Sequence, residues 1–174
     1  MTQVDLESRT LYIGTCIAVF RDDRCVMIQC MDIPNCFYRV SIKALVLDES
    51  RTKFLVVQEE NGLWELPGGG LDWGTSPQED LRREIKEEMG LEVAWIAPQP
   101  SYLLVGKSYR WDVGEDIWKA NVVYEAKLEH LNFTPSDECV AIKFVTSQEA
   151  QDLTPQYGNI AELGRQFDPA RHTA

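Results

Sequence analysis

The sequence predicts an α/β protein in which helices pack on the faces of a mixed β-sheet. The chain has 174 residues, of which 44% are hydrophobic and 26% are charged, so it is long and apolar enough for one compact core. β-rich apolar runs and helical patterns interleave irregularly along it, as is typical of a mixed sheet covered by helices. No apolar run approaches the roughly 20 residues that span a bilayer, so we expect no membrane segment.

Hydrophobic periodicity and turn residues place the elements in order. Two apolar runs, 10–20 and 25–30, flank the charged residues 21–24 and predict an N-terminal β-hairpin, which is followed by a break around Pro34. The further elements are strands at 37–47, 53–59, 91–97, 101–107, 118–128 and 139–145, and helices at 76–89, 147–152 and 157–166.

This pattern divides the chain into an N-terminal β extension (1–36), a main domain (37–155) and a C-terminal helix and tail (156–174). His172 lies in the tail, which we expect to be frayed because chain ends are poorly ordered unless they dock. Apolar strands in the extension need cover. Two interpretations are compatible with this need: the extension adds to the sheet, or it pairs across the interface of a homodimer.

The net charge disfavours one class of partner, and the cysteine usage indicates the cellular compartment. The 17 Lys and Arg against 28 Asp and Glu give a net charge of −11, which disfavours nucleic-acid polymers as partners. A small phosphorylated ligand stays compatible if local cations or metal ions overcome this field. Five cysteines without a CxxC pair predict reduced thiols in a cytoplasmic protein. A zinc site formed by Cys25, Cys30 and Cys36 is the alternative, although this spacing matches no common ligand pattern.

The helix at 76–89 is the most strongly marked element. Ser76 is a natural N-cap, Pro77 suits the first helical position, and Glu79 completes a capping box with Ser76. Gly90 ends the helix in the position that favours a left-handed residue. A buried stripe recurs every four residues at Leu81, Ile85 and Met89.

The other face of this helix is acidic. Glu84, Glu87 and Glu88 lie at i, i+3 and i+4, where like charges destabilise a helix. One interpretation is a solvated acidic surface, and the other is a site for a hard cation such as Mg²⁺ or Mn²⁺. The glycine-rich stretch Gly68–Gly70 directly precedes the helix and lets the backbone approach a ligand closely, which favours the metal site.

The 23 residues from Gly69 to Leu91 resemble the Nudix box, the signature of the Nudix hydrolases, at every defined position but one. The exception is Thr75, which stands where the family normally has glutamate. Residues 63–69 also look like the strand and loop that lead into the box. The matching positions are Gly69, Arg83, Glu84, Ile85, Glu87, Glu88, Gly90 and Leu91.

The resemblance implies an α/β/α sandwich that hydrolyses the pyrophosphate bond of a nucleotide or nucleoside-diphosphate derivative with Mg²⁺ or Mn²⁺. It implies that Glu84, Glu87 and Glu88 are metal ligands. Arg83 would orient these carboxylates, and Gly69 would bind metal through its carbonyl or shape the loop. We expect Thr75 to impair or alter metal binding without abolishing it, with Glu65 or Glu79 as compensating carboxylates. The alternative is a nucleotide-binding sensor of the same fold that is weak or inactive as an enzyme.

Residues beyond the box supply the other candidates. Glu138, just before the last strand, has the position in which many family members add a further ligand or general base, and Glu115 and Asp116 are its rivals. In the segment 106–119, cations could hold phosphates while aromatic faces stack a base, although such aromatics also pack in hairpins. The residues expected to bind substrate are Arg39, Tyr109, Arg110 and Trp111.

Overall fold

The structure is a computed structural model, and the chain divides into two compact units, Met1–Cys36 and Phe37–Ala174. The residues described are 9–13, 16–21, 24–28, 38–110, 115–153 and 158–172. The first unit contains the antiparallel strands β1 (Arg9–Ile13), β2 (Cys16–Arg21) and β3 (Arg24–Ile28).

The prediction of a single strand over residues 10–20 is wrong. Two strands form there instead, and they pair with Leu11 opposite Ala18. The apolar run by itself does not distinguish one long strand from two short paired ones, although Gly14 at its centre is a common turn residue. The strands β2 and β3 do form a hairpin, in which Arg21 faces Arg24.

The second unit contains a mixed sheet, as predicted. Strand β4 pairs in parallel with β9, and β9 pairs antiparallel with both β7 and β8. A second, antiparallel sheet has the order β10-β5-β6. The bounds are β4 (Tyr38–Val46), β5 (Phe54–Gln58), β6 (Trp64–Glu65), α1 (Pro77–Met89), β7 (Val93–Ile96), β8 (Tyr102–Arg110), β9 (Glu115–Leu128), β10 (Ala141–Val145), α2 (Ser147–Leu153), α3 (Asn159–Gln166) and a 3₁₀ helix (Pro169–His172).

Helices cover both faces of this sheet. Side chains alternate along β4, so successive residues of this strand contact helices on opposite faces. Ile42 and Ala44 point into a core that contains the buried stripe of α1, whereas Leu45 points into a second core with Ile160 and Leu163 of α3. The longest helix in the described ranges, α1, has 13 residues, fewer than a membrane-spanning helix needs.

The predicted ends of α1 are confirmed. The Ser76 hydroxyl accepts a hydrogen bond from the Glu79 N–H at 3.3 Å, and the Glu79 carboxylate accepts one from the Ser76 N–H at 3.0 Å. Gly90 adopts a left-handed conformation with φ 66°. The helix therefore begins and ends where its own sequence directs, and the packing of Leu81, Ile85 and Met89 in the core sets the direction of its acidic face.

Contrary to expectation, the C-terminal segment is docked as far as His172. The His172 ring is buried, with Nδ1 2.7 Å from Glu125 Oε2 and Nε2 2.8 Å from the Tyr102 hydroxyl. The ring also stacks on Phe167 with a centroid distance of 5.5 Å. Glu125 binds Arg51 as well, at 2.6 Å. Tyr102 and Glu125 lie far from His172 in sequence, so the tail pattern alone does not reveal the docking.

Replacing Glu125 with alanine is expected to lower the free energy of unfolding by about 3 kcal/mol, because both Arg51 and the buried His172 lose their acceptor. Urea unfolding followed by circular dichroism measures this change. Glu129→Ala, at an exposed position just beyond β9, is the matched control. Equal unfolding midpoints for the two variants would contradict the anchoring role of Glu125.

Candidate metal and substrate site

The glycine-rich stretch runs along the free edge of β4. The N–H of Ala44 donates to the Pro67 carbonyl at 2.8 Å, and the N–H of Ile42 donates to the Gly69 carbonyl at 2.9 Å. A Cβ on Gly69 would overlap the Glu84 carboxylate. The carbonyl of Gly69 is thus engaged in the ladder, and the glycine allows Glu84 to approach the loop.

Glu84 and Glu88 face a cavity of about 390 Å³, here called the acidic cavity. Seven carboxylates and one lysine line it, together with an asparagine and two apolar side chains. Glu138 is one of the seven, so the structure brings this residue together with two of the box glutamates. The lining residues are Lys43, Val57, Glu59, Glu60, Asn61, Glu65, Leu66, Glu84, Glu88, Asp137 and Glu138.

The buried charge of Glu88 is only partly compensated by its neighbours. Burial raises its pKa, while the charge of Lys43 and a 3.0 Å hydrogen bond from the Gly68 N–H only partly oppose that effect. The neighbouring carboxylates of Glu84 and Glu65 raise the pKa further. An additional positive charge in the cavity would stabilise ionised Glu88.

Arg83 binds acidic side chains of the helix and of the loop before it. Its guanidinium lies 2.7 Å from both Glu84 Oε1 and Glu87 Oε2, and 2.9 Å from Asp72 Oδ2. Glu87 is exposed and does not line the acidic cavity. Of the three glutamates in the box, the structure therefore brings Glu84 and Glu88 together and places Glu87 against Arg83.

The donor chemistry of the acidic cavity fits Mg²⁺ or Mn²⁺, since such hard cations prefer carboxylate oxygen ligands. Gly69 leaves the space that the Glu84 carboxylate occupies beside the loop. Within the described ranges, no three His, Cys, Asp or Glu side chains are grouped as a metal site. Arg83 holds Glu84 and Glu87 instead.

Lys43 is a site residue that sequence reasoning missed. Its side chain is 8% exposed, and Nζ donates to Glu65 Oε2 at 3.2 Å and to the Gly68 carbonyl. Burial raises the pKa of Glu65, but the charges of Lys43 and Lys119, together with hydrogen bonds from Lys43 and Asn159, lower it overall. The available signal in the sequence was a lysine inside the apolar run of β4. A buried ammonium is costly without acidic partners, so a lysine in a buried strand indicates carboxylates close to it.

Thr75 and Asp80 form a second feature that the sequence did not reveal. The Thr75 hydroxyl donates to Asp80 Oδ2 at 2.6 Å, and the Asp72 N–H donates to the same oxygen at 2.8 Å. These hydrogen bonds lower the pKa of Asp80. The two expected compensating carboxylates have other partners, since Glu65 binds Lys43 and Glu79 binds Ser76.

A second cavity of about 170 Å³, here called the polar cavity, adjoins the acidic one at Glu65, which lines both. It contains three cationic side chains, those of Lys107, Lys119 and Arg165. Asn159, at the start of α3, accepts a hydrogen bond from the Leu66 N–H at 3.3 Å and also bonds to Glu65. The C-terminal helix therefore forms one wall of this cavity.

The structure does not bring the residues expected to bind substrate together in one cavity. Arg39 is exposed on β4 with its guanidinium beside Gly70, and it lines neither of the two cavities described. Tyr109 and Arg110 lie in β8 opposite Asp116 and Glu115 of β9. Trp111 lies outside the described residues, as do Cys30 and Cys36 of the alternative zinc site.

A family model described as NUDIX domain matches residues 37–167. Over 88 residues the chain is 35% identical to an RNA pyrophosphohydrolase of Campylobacter jejuni subsp. doylei, a match that covers 43% of this chain and 56% of that protein. Over 95 residues it is 30% identical to the nucleoside triphosphatase NudI of Enterobacter sp. strain 638, covering 53% of this chain and 67% of that protein. The chain thus spans little more than half the length of the Campylobacter relative.

Solved structures share the fold. The MutT protein of Methanosarcina mazei Go1 superimposes with a TM-score of 0.59 at 20% identity, covering 80% of this chain and 99% of that one. The dihydroneopterin triphosphate pyrophosphohydrolase of E. coli gives a TM-score of 0.54 at 19% identity, covering 75% and 96%. The predicted Nudix architecture is confirmed, and together with the family match over 37–167 it shows that the chain belongs to the Nudix family.

Proposed function

We propose that this protein hydrolyses a pyrophosphate bond in a nucleotide or nucleoside-diphosphate derivative, with Mg²⁺ or Mn²⁺ as cofactor. The observation that carries this proposal is that the acidic cavity meets, at Glu65, the polar cavity, in which three cationic side chains outnumber the carboxylates of Glu65 and Glu162. Carboxylates on one side suit a divalent cation, and three cationic side chains on the other suit phosphate oxygens. Relatives described as an RNA pyrophosphohydrolase and a nucleoside triphosphatase support the same reaction class.

Glu84 and Glu88 would hold the cation, with Glu87 as the third ligand implied by the box. A bound divalent cation supplies positive charge that neutralises phosphate oxygens and activates water. Arg83 fixes the direction of the Glu84 and Glu87 carboxylates through its two 2.7 Å ion pairs. Lys43 holds the Gly68 carbonyl and Glu65, and so keeps the loop against β4.

Glu138 is the proposed general base. It lines the acidic cavity from the loop before β10, and it is exposed, so solvent water reaches it. In this role a carboxylate oxygen of Glu138 accepts a proton from the attacking water. Asp137 lines the same cavity, and a Glu138→Gln variant compared with Asp137→Asn distinguishes the two carboxylates by which one loses kcat.

Replacing Lys119 with methionine is expected to raise KM about tenfold with a smaller effect on kcat, because a charge-assisted hydrogen bond to phosphate contributes roughly 1.5–3 kcal/mol. Lys119 lines the polar cavity and its charge acts on Glu65. Steady-state kinetics with the best substrate measures the change. Lys127→Met is the matched control, since Lys127 lies on the same strand but contacts Trp95 instead. An unchanged KM in the Lys119 variant would contradict phosphate binding in the polar cavity.

A nucleotide-binding sensor is the second candidate, and Thr75 at the usual glutamate position favours it. The test is phosphate release from a substrate panel in Mg²⁺, Mn²⁺ or EDTA. The panel contains nucleoside triphosphates, oxidised nucleotides, ADP-ribose, nucleotide sugars, dinucleoside polyphosphates and an RNA oligonucleotide with a 5′-triphosphate. Metal-dependent turnover of one class supports the enzyme. Tight nucleotide binding without turnover, in a folded protein, supports the sensor.

A further inference from the structure

We propose that Asp80 supplies the carboxylate that braces the loop before α1 and positions Arg83, in place of the glutamate that the family has at position 75. This proposal rests on the proposed function of the acidic cavity. It makes Asp80 a positioning residue, which acts through Arg83 rather than on substrate.

Asp80 is a buried carboxylate with a fixed set of partners. It lies in the first turn of α1 and is 1% exposed. Its Oδ2 accepts from the Thr75 hydroxyl at 2.6 Å and from the Asp72 N–H at 2.8 Å, so it ties both ends of the loop 72–75 to the helix. A buried carboxylate with these donors is stabilised in its charged form, which is the form an arginine partner requires.

Arg83 links Asp80 to the acidic cavity. The guanidinium Nη2 is 3.7 Å from Asp80 Oδ1, 2.9 Å from Asp72 Oδ2 and 2.7 Å from Glu84 Oε1. Asp80 therefore lies beside the same guanidinium nitrogen that pairs with Glu84. Without Asp80 the guanidinium would lose its buried anionic partner, and Glu84 would lose part of its support.

Thr75 and Asp80 complement each other. The threonine hydroxyl is a donor and carries no charge, so it can approach the Asp80 carboxylate to 2.6 Å. A glutamate at position 75 would bring a second carboxylate to the same place, and two like charges at this distance repel. In this chain, then, a single buried carboxylate binds the loop, and it lies on the helix instead of at position 75.

This arrangement predicts that the two positions depend on each other. Asp80→Ala and Thr75→Glu, each alone, are expected to weaken Mn²⁺ binding and to lower kcat by about tenfold, as is common for residues that support metal ligands indirectly. The double variant is expected to recover to within about threefold of the original protein, because it again has a single carboxylate in the loop. Mn²⁺ binding is measured by electron paramagnetic resonance in the absence of nucleotide, and kcat by steady-state kinetics.

Glu79→Ala is the matched control, since Glu79 is the neighbouring carboxylate in the same turn but its side chain binds Ser76. It is expected to lower Tm with little change in Mn²⁺ affinity. If Asp80→Ala behaves like Glu79→Ala, or if the double variant is no better than Asp80→Ala, the proposal is overturned. Asp80→Asn, which keeps the size of the side chain, replaces Asp80→Ala if the latter fails to fold.

A third readout separates this proposal from the proposed function. Thermal unfolding in EDTA needs neither metal nor substrate, and each single variant is expected to lower Tm by at least about 4 °C, with recovery in the double variant. If the original protein binds no Mn²⁺ or lacks turnover, but Tm falls in the single variants and recovers in the double variant, the proposed function is wrong. The proposal that Asp80 holds the loop is then still supported. Additive losses of Tm in the double variant would overturn the proposal that Asp80 replaces the glutamate at position 75.

Discussion

Replacing Glu88 with glutamine is expected to abolish metal-dependent hydrolysis while the protein stays folded. The amide keeps the size of the side chain and can still accept the hydrogen bond from the Gly68 N–H. It removes the negative charge from a buried position in the acidic cavity. Because several kcal/mol of charge stabilisation depend on the cation, we expect kcat to fall by roughly 1,000-fold.

The experiment compares kcat and Mn²⁺ affinity of Glu88→Gln with those of Glu92→Gln. Glu92 is an exposed glutamate just beyond the end of the same helix, and it pairs with Lys86 away from the acidic cavity. Circular dichroism confirms that both variants are folded. Undiminished turnover in Glu88→Gln would remove Glu88 from the metal site.

Replacing Gly69 with alanine is the second change with a large expected effect. The new methyl group would occupy the space of the Glu84 carboxylate, so Glu84 must move away from the loop. A displacement of about 1 Å at a reacting centre costs roughly 100-fold in rate. We therefore expect kcat to fall by about that factor, with a smaller change in Tm.

Gly62→Ala is the control for this substitution. Gly62 has φ +84°, and a methyl group added there would meet no other side chain or backbone atom within 4 Å. Alanine at this position therefore introduces backbone strain without displacing a side chain. It should lower stability and leave kcat intact. If Gly69→Ala retains full activity, the close approach of Glu84 to the loop is not needed for the reaction.

The sequence predicted the features that depend on neighbouring residues. Helix α1 begins after Ser76 and ends at Gly90 as its capping residues indicate, because capping hydrogen bonds form within one turn of the helix. The buried stripe of α1 faces the core for a similarly local reason, since three residues spaced by four lie on one side of a helix. The same local spacing placed Glu84, Glu87 and Glu88 on one side of the helix, although only Glu84 and Glu88 line the acidic cavity.

Residues with distant partners could not be predicted in this way. Lys43 binds Glu65, which is 22 residues away, and His172 binds Glu125, which is 47 residues away. Asp80 is closer to its partners, yet its burial depends on how the loop 72–75 folds over the helix. In each case a polar side chain is stable inside the protein only because another segment supplies the matching group.

By itself, then, the sequence determined the helix that carries the glutamates and the glycine loop in front of it, through local periodicity and capping. The resemblance of a contiguous motif to the Nudix box implied the Nudix-type α/β fold. Only the tertiary structure decided which carboxylates share a cavity, that Lys43 lies among them, and that Asp80 stands beside Thr75. The reason is physical: charge compensation of a buried group depends on distance in space, and packing brings together residues whose separation along the chain carries no such information.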